Sequence, residues 1–318
     1  MAKLWKHRVF GIKQETTQGT LVSSASLVST DYFPVYDFNL TPVVEQLDNT
    51  VVGQFLGSPQ TIPGLKNIDV DCKFWLYNTG SAGNLVLPMD ALLGSCGVTG
   101  STGASGTYKP TSGITNNNMI GPAESITIWG NYDNIAAYTW GVVGNMKMTF
   151  EQGKKVDCEY NGKGLYSGSY DLTIPSGAYG NFVPPICQNI QFQIGNYTFI
   201  CDKFSIDFGN QIQAISDVNS PNGIYGYTIT DRKPVGSLTV LATNVATYDF
   251  WNKLDSAVVA SGSCIIGTSA GNKFTFNFGS IQYSDVKYTN ANGLINVDAT
   301  LKFNESDITN TWLSMIVQ

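Results

Sequence analysis

Between Gly141 and Tyr166 the sequence GVVGNMKMTFEQGKKVDCEYNGKGLY alternates apolar and polar residues almost without a slip. A period of two belongs to an extended strand with one face buried. Met146, Met148, Phe150, Val156, Cys158 and Tyr160 fall on one side of this hairpin. Asn145, Lys147, Thr149, Glu151, Lys155, Asp157 and Glu159 fall on the other. One face must pack against protein, and the other must meet water or a second polar surface. The pattern recurs at 66–77, 125–130, 138–150, 155–160, 196–209, 236–242, 273–279, 284–289 and 294–303, so the fold class is mainly β. Near the end, Phe274, Phe276 and Phe278 are expected dry, with Thr275 and Asn277 opposite. On the strand after that, Ile295, Val297, Ala299, Leu301 and Phe303 are expected dry and Asn296, Asp298, Thr300 and Lys302 wet. Turns are expected at EQGKK, EYNGKG, TSAGNK and TNANG. Two segments break the period and read as helix: 88–97 and 246–261, the second with Thr247 as N-cap and Gly262 as stop.

The order of elements repeats. Trp140-Gly141 followed by Met146 and Met148 matches Phe278-Gly279 followed by Val286 and Tyr288, and Asp90 matches Asp249. The offset changes once, across a Gly/Ser/Thr/Asn-rich stretch at 97–124, which reads as a long loop. The chain therefore reads as one unit written twice: strand, strand, helix, then a sheet of hairpins. The first copy covers 1–174 and the second 175–318.

Little in the sequence points to a reaction. The only histidine, His7, lies in a basic N-terminal stretch, which removes His-based metal sites and the Ser-His-Asp triad. No metalloprotease, hydrolase or phosphate-loop motif occurs. Two carboxylate pairs, Asp69/Asp71 and Asp157/Glu159, each share a strand face, but in polar registers beside lysines. They read as a solvated face rather than as glycosidase acids. Six cysteines stand singly and read as free thiols. No signal peptide or membrane span is recognised, and no cofactor is expected. Charged residues make up 13% of the chain and the formal net charge is −6, which argues against a reader of duplex DNA.

A sheet with one wet face and no catalytic groups is a wall, and its unpaired edges invite association. Copies placed in a ring satisfy those edges by joining their sheets into a closed barrel, and stacked rings make a tube. The stretches FGIKQETTQGTLV, IPGLKNIDVDCKFWL, PMDALLGSCGV, GTYKPTS and SITIWGNYDNIAAYTWGVVGNMKMTFEQGKKVDCEYNGKGLY carry a resemblance. They resemble, over about 8–166, the major tail tube proteins of long-tailed bacteriophages. Residues from about 180 to 305 look like a degenerate copy. The resemblance implies tandem β-sandwich or barrel-like units, each with a flanking short helix. Their inner sheets would join into a ring-shaped barrel around a lumen for DNA. Single-unit members form six-membered rings, so a doubled chain implies a trimer with pseudo-sixfold shape. The expected setting is the virion tail, after assembly in the host cytoplasm. The expected partners are further copies, the tape measure, terminator and distal tail proteins, and DNA in non-specific passage; no membrane is involved. The expected lumen lining is Asn145, Lys147, Thr149, Glu151, Lys155, Asp157, Glu159, Thr275, Asn277, Asn296, Asp298, Thr300 and Lys302. The N-terminal segment and the 97–124 loop are expected to be flexible ties between rings. Competing readings are another virion component (baseplate hub, distal tail or decoration protein), a receptor- or carbohydrate-binding β-sandwich suggested by sixteen Tyr and six Trp, and a carboxylate-pair hydrolase.

Overall fold

The computed structural model describes residues 3–49, 57, 60–78, 83, 85–101, 106–112, 123–176, 183–188, 190–305 and 312–318. Its first half runs β1 (Arg8–Gln14), β2 (Asp37–Leu47), β3 (Ile62–Trp75), α1 (Leu87–Ser95), β4 (Val98–Ser101), β5 (Gly106–Pro110), β6 (Ile126–Tyr132), β7 (Ile135–Glu151), β8 (Asp157–Leu165) and β9 (Ser169–Asp171). The rest runs β10 (Gln191–Ile194), β11 (Tyr197–Thr198), β12 (Cys201–Asp207), β13 (Asn210–Ser216), β14 (Ile224–Arg232), β15 (Val235–Leu241), α2 (Phe250–Asp255), β16 (Val259–Ile266), β17 (Phe274–Ala291), β18 (Leu294–Asn304) and β19 (Leu313–Val317).

Strand β7 belongs to two sheets. Its first part pairs with β6 and β9, and β1 completes that outer sheet. The ladder with β8 slips between Trp140 and Val143, where Gly141 has φ +62°. Glycine takes that left-handed backbone without the clash of a β-carbon, and the bulge bends the strand into a second, inner sheet. There β7 pairs with β8 on one edge and β12 on the other.

The two halves are wired alike. In the first, β2, β3, β8 and β7 hydrogen-bond in that order, and β7 leads through β6 to β1. In the second, β12, β15, β18 and β17 do the same, and β17 leads through β16 to β10. The likeness extends to single positions. Glu159 of β8 lies opposite Lys73 and Lys147, as Asp298 of β18 lies opposite Thr239 and Lys287. Phe38 and Leu40 face Cys72 and Val70, as Phe204 and Ile206 face Leu238 and Gly236. Because 147–151 of β7 pair with 203–207 of β12, the inner sheets are continuous: β2, β3, β8, β7, β12, β15, β18, β17.

The dry side of the opening hairpin is buried as its pattern requires: Met146, Met148, Phe150, Val156, Cys158 and Tyr160 are at most 3% exposed. Phe274, Phe276 and Phe278 are buried too, and one apolar cluster runs through both halves. Each such side chain contributes roughly 1.5–3 kcal/mol on burial. Tyr160 lies flat over Gly144 and Gly162, where an added β-carbon would collide with its ring, and its hydroxyl meets Ser95 Oγ at 2.9 Å.

Several expectations are corrected. The NGKG stretch is not a turn but part of β8, its glycines making room for Tyr160 and Thr139. The second helix covers only 250–255: Asp249, not Thr247, caps it by accepting from the Asn252 amide at 3.0 Å. Ala257 then takes φ +49° and the chain re-extends as β16, which both β10 and β17 need as a neighbour. Ile295 is 62% exposed at the hairpin tip, not dry, and Asn296 is buried, not wet. Part of the expected 97–124 loop is the β4–β5 hairpin, clamped by β19, which itself pairs with β17; 102–105 and 113–122 lie outside the described residues. Nor is the N-terminal segment free. Lys3 Nζ reaches the Asp133 carbonyl at 2.8 Å, and the Leu4 amide and His7 Nδ1 meet the Asp133 carboxylate at 2.9 and 2.6 Å.

Candidate functional site: a polar sheet face between two unpaired edges

Odd-numbered residues of β3, β7, β8 and β12 and even-numbered residues of β18 point to the side of the inner sheet away from the core. Across the strands their charges alternate. One row reads Asp37, Lys73, Glu159, Lys147, Asp207, Val235, Lys302. Opposite charges facing each other across a ladder each stabilise by roughly 0.2–1 kcal/mol. Lys73 Nζ sits 2.8 Å from Glu159, which draws that carboxyl below its ordinary range. Lys163 Nζ lies 3.5 Å from Asp69. Asp71 is raised instead, by partial burial and then by Asp69.

The structure brings most of the expected lining residues onto this face. Asn145 Nδ2 donates to Asp207 at 2.8 Å and its Oδ1 accepts from the Asn210 amide at 3.0 Å, stitching the first half to the second. Lys147 stands between Glu159 and Asp207, and Thr149 between Asp157 and Ser205. Glu151 lies opposite Lys203 and pairs with Lys154 at 2.5 Å. Asp157 accepts from the Tyr36 hydroxyl at 2.6 Å, and Lys155 lies 3.7 Å from the ring of Trp75. Trp75 stands on the polar face and stacks on Tyr36. Asp298 accepts from Thr239 at 2.7 Å, and Thr300 and Lys302 are exposed. Thr275 and Asn277 are not brought together with these: they lie between β16 and β19 in an outer sheet.

The β13–β14 hairpin was not read from the sequence. It caps one end of the polar face, packing Ile224, Tyr227, Ile229 and Ile212 over Val143, Leu165 and Trp140. The signal is weak: Gly209 (φ +65°) marks a turn before it, but Ile212, Ala214 and Ile215 stand among polar Gln211, Gln213 and Ser216 without a clean period of two.

The sheet ends at two edges. Among the described residues, β2 pairs only with β3, and 285–291 of β17 pair only with β18. The β2 edge is partly covered by side chains: the Leu40 amide donates to Tyr132 Oη at 3.0 Å, and Arg8 Nη1 donates to the Phe38 carbonyl at 3.1 Å. Arg8 is held in turn by Asp37 at 3.3 Å and by the ring of Trp5 at 3.9 Å.

Among the described residues no group of three or more His, Cys, Asp or Glu is placed to hold a metal. No described helix is long and apolar enough to cross a membrane. All six cysteines are free thiols. A continuous sheet whose two halves are wired alike, with a polar face, a buried face and two edges unpaired among the described residues, is a wall element. The family described as phage tail tube protein matches residues 5–308. The chain belongs to the phage tail tube protein family. It is a structural protein of the virion tail. No curated protein matches the chain. Nothing among the described residues of this tail tube protein favours a receptor-binding or hydrolytic reading: of the two carboxylate pairs, Asp69, Asp157 and Glu159 are held by Lys163, Tyr36 and Lys73.

Proposed function

We propose that the chain is two tandem tube units, 1–174 and 175–318, and that three copies close a ring of six such units. Rings stack head to tail into the tube, in contact with tape measure, terminator and distal tail proteins. The polar face lines the lumen, with Asn145, Lys147, Thr149, Glu151, Asp157, Glu159, Asp298, Thr300 and Lys302 toward the DNA. The observation that carries this is the β7–β12 joint, which already joins two like sheets edge to edge within one chain. Closed symmetry is the usual way to satisfy the remaining edges.

The lumen fits passage rather than binding. Its carboxylates, among them Asp69, Asp71, Glu151, Asp157, Glu159 and Asp298, are interleaved with Lys73, Lys147, Lys163, Lys203 and Lys302. Without a run of unpaired cations there is little release of counterions to hold a phosphate backbone. Screening at about 8 Å confines any repulsion to the immediate wall. Purified protein, or tails, examined by electron microscopy with rotational averaging tests the reading. Uniform tubes with threefold symmetry are expected. Isolated rings or particles would point to another tail component, and sixfold rings of whole chains would remove the doubled-unit argument.

A further inference from the structure

Equivalent positions of the two halves differ in exposure at the open end of the sheet. Met146 and Met148 of β7 correspond by register to Val286 and Tyr288 of β17. Met148 is 1% exposed beneath the joint with β12, whereas Tyr288 is 47% exposed, stacked only on the exposed ring of Trp251 at 6.2 Å. An apolar position that is buried wherever another unit follows, and bare where the chain supplies none, marks a missing neighbour. The strand that covers Met148 is β12, and its counterpart is β2, the strand left unpaired at the other end.

We propose that β17 of one copy adds antiparallel to β2 of the next in the register of the internal joint, with Leu40 opposite Tyr288, Asn39 opposite Thr289 and Thr41 opposite Lys287. This rests on the self-assembly reading above and adds the edges, the direction and the register. Hydrogen-bond parity agrees. In the internal joint the even positions of β12 face β7: the Phe208 amide donates to the Met146 carbonyl and the Gln152 amide to the Asp202 carbonyl, both at 3.0 Å. The corresponding even positions of β2, Phe38 and Leu40, direct their outward carbonyl and amide to Arg8 and Tyr132. Those two side chains stand where the neighbouring strand is placed, and they yield to it on closure. Pro42, the counterpart of Phe208, has no amide hydrogen, so the ladder is one bond shorter at that end. The occupant is a second copy of this chain because the dry residues line up, Leu40 with Tyr288, as Ile206 lines up with Met148.

Asn39 and Thr289 form a pair without mutual backbone hydrogen bonds, the closest kind across an antiparallel ladder. In full-length N39C/T289C assembled under oxidising conditions, disulfides between copies are expected, giving a denaturing-gel ladder that ends at the closed ring. The cross-linked fraction should exceed that of the off-register pair N39C/K287C by about tenfold, because cysteines with distant Cβ atoms cannot bridge. Tubes that form while the off-register pair links as well or better would overturn the register but leave the tube reading standing. Failure of the unaltered protein to form rings or tubes would instead remove the reading beneath it. Should the double variant not fold, hydrogen exchange on the unaltered protein decides. The Val286, Tyr288 and Asn290 amides should slow on going from free chain to tube, and unchanged exchange there sinks the proposal.

Discussion

Glu15 shows how much depends on one buried residue. It is 3% exposed and takes four donors: Ser125 Oγ at 2.6 Å and the Gly19 amide at 2.8 Å on one oxygen, Thr127 Oγ1 at 2.9 Å and the Gly141 amide at 2.7 Å on the other. It thereby fixes the bulge that turns β7 from one sheet into the other. In Glu15→Gln one oxygen becomes an amide group. The hydroxyls can rotate to accept from it, but a backbone N–H cannot, so one amide is left unpaired whichever way the side chain turns. The expected loss is about 1–3 kcal/mol in a chemical melt. Burial outweighs the four hydrogen bonds and raises the Glu15 pKa above 4.5. A carboxyl raised by folding takes up its proton more readily in the native state. Wild-type stability should therefore fall as pH rises from about 4.5 through the native pKa, so the gap to Glu15→Gln should be widest on the acid side. Tyr132→Phe addresses the β2 edge. Burial pushes this phenol up to about 12, so it is a neutral acceptor for the Leu40 amide in the free chain. Its loss should cost about 0.5–1.5 kcal/mol and leave the edge open. A shorter lag in light-scattering assembly is the expected readout, and a longer one would contradict the displacement of Tyr132.

Among elements, β19 ties the outer layer together. Its residues pair with β17 on one edge and with β5 on the other, and Leu313, Met315 and Val317 are all at most 2% exposed. Removing 313–318 takes away three buried side chains of roughly 1.5–3 kcal/mol each. That is comparable to the whole stability of an ordinary domain, about 5–15 kcal/mol. The truncated chain is expected to lose its cooperative unfolding transition by circular dichroism; a transition at the wild-type midpoint would show the strand to be dispensable. The helices differ in the same way as the edges. α1 buries Met89, Leu92 and Leu93, whereas α2 buries Phe250 and leaves Trp251 61% exposed beside the open end of β17.

For the whole molecule, the charge pattern of the polar face makes a prediction independent of the ring number. Glu151→Lys, Glu159→Lys and Asp298→Lys together turn an interleaved ladder into a cationic one. Glu159 and Asp298 occupy corresponding positions of the two halves, so the change runs across the whole face. Tubes of this variant should retain DNA at low salt and release it steeply as salt rises, with log affinity falling by about 0.9 per phosphate neutralised for each tenfold rise in salt. Retention equal to wild type in a co-sedimentation assay would show that these residues do not face the DNA.

Legibility follows from the range of the interactions. Period-two alternation is local, and it located β3, the inner parts of β7 and β8, β12, β15, β17 and β18, together with the dry face of the opening hairpin. It also marked most of the polar face, because a strand cannot bury one side without presenting the other. The same locality explains the misses. Asp249 displaces Thr247 as cap, Ile295 is exposed and Asn296 buried near a hairpin tip, and NGKG extends through β8 because Tyr160, two residues earlier, needs flat glycines beneath its ring. The pairing of β7 with β12, the packing of the β13–β14 hairpin over Val143 and Leu165 and the clamp of β19 on β5 join residues far apart in sequence. Which edges meet is set by the geometry of folded sheets, and no local pattern carries it. By itself the sequence determined a β wall with one polar side; only the tertiary structure decided which strands stand at its two ends, since an edge exists only once every other strand has found its partner.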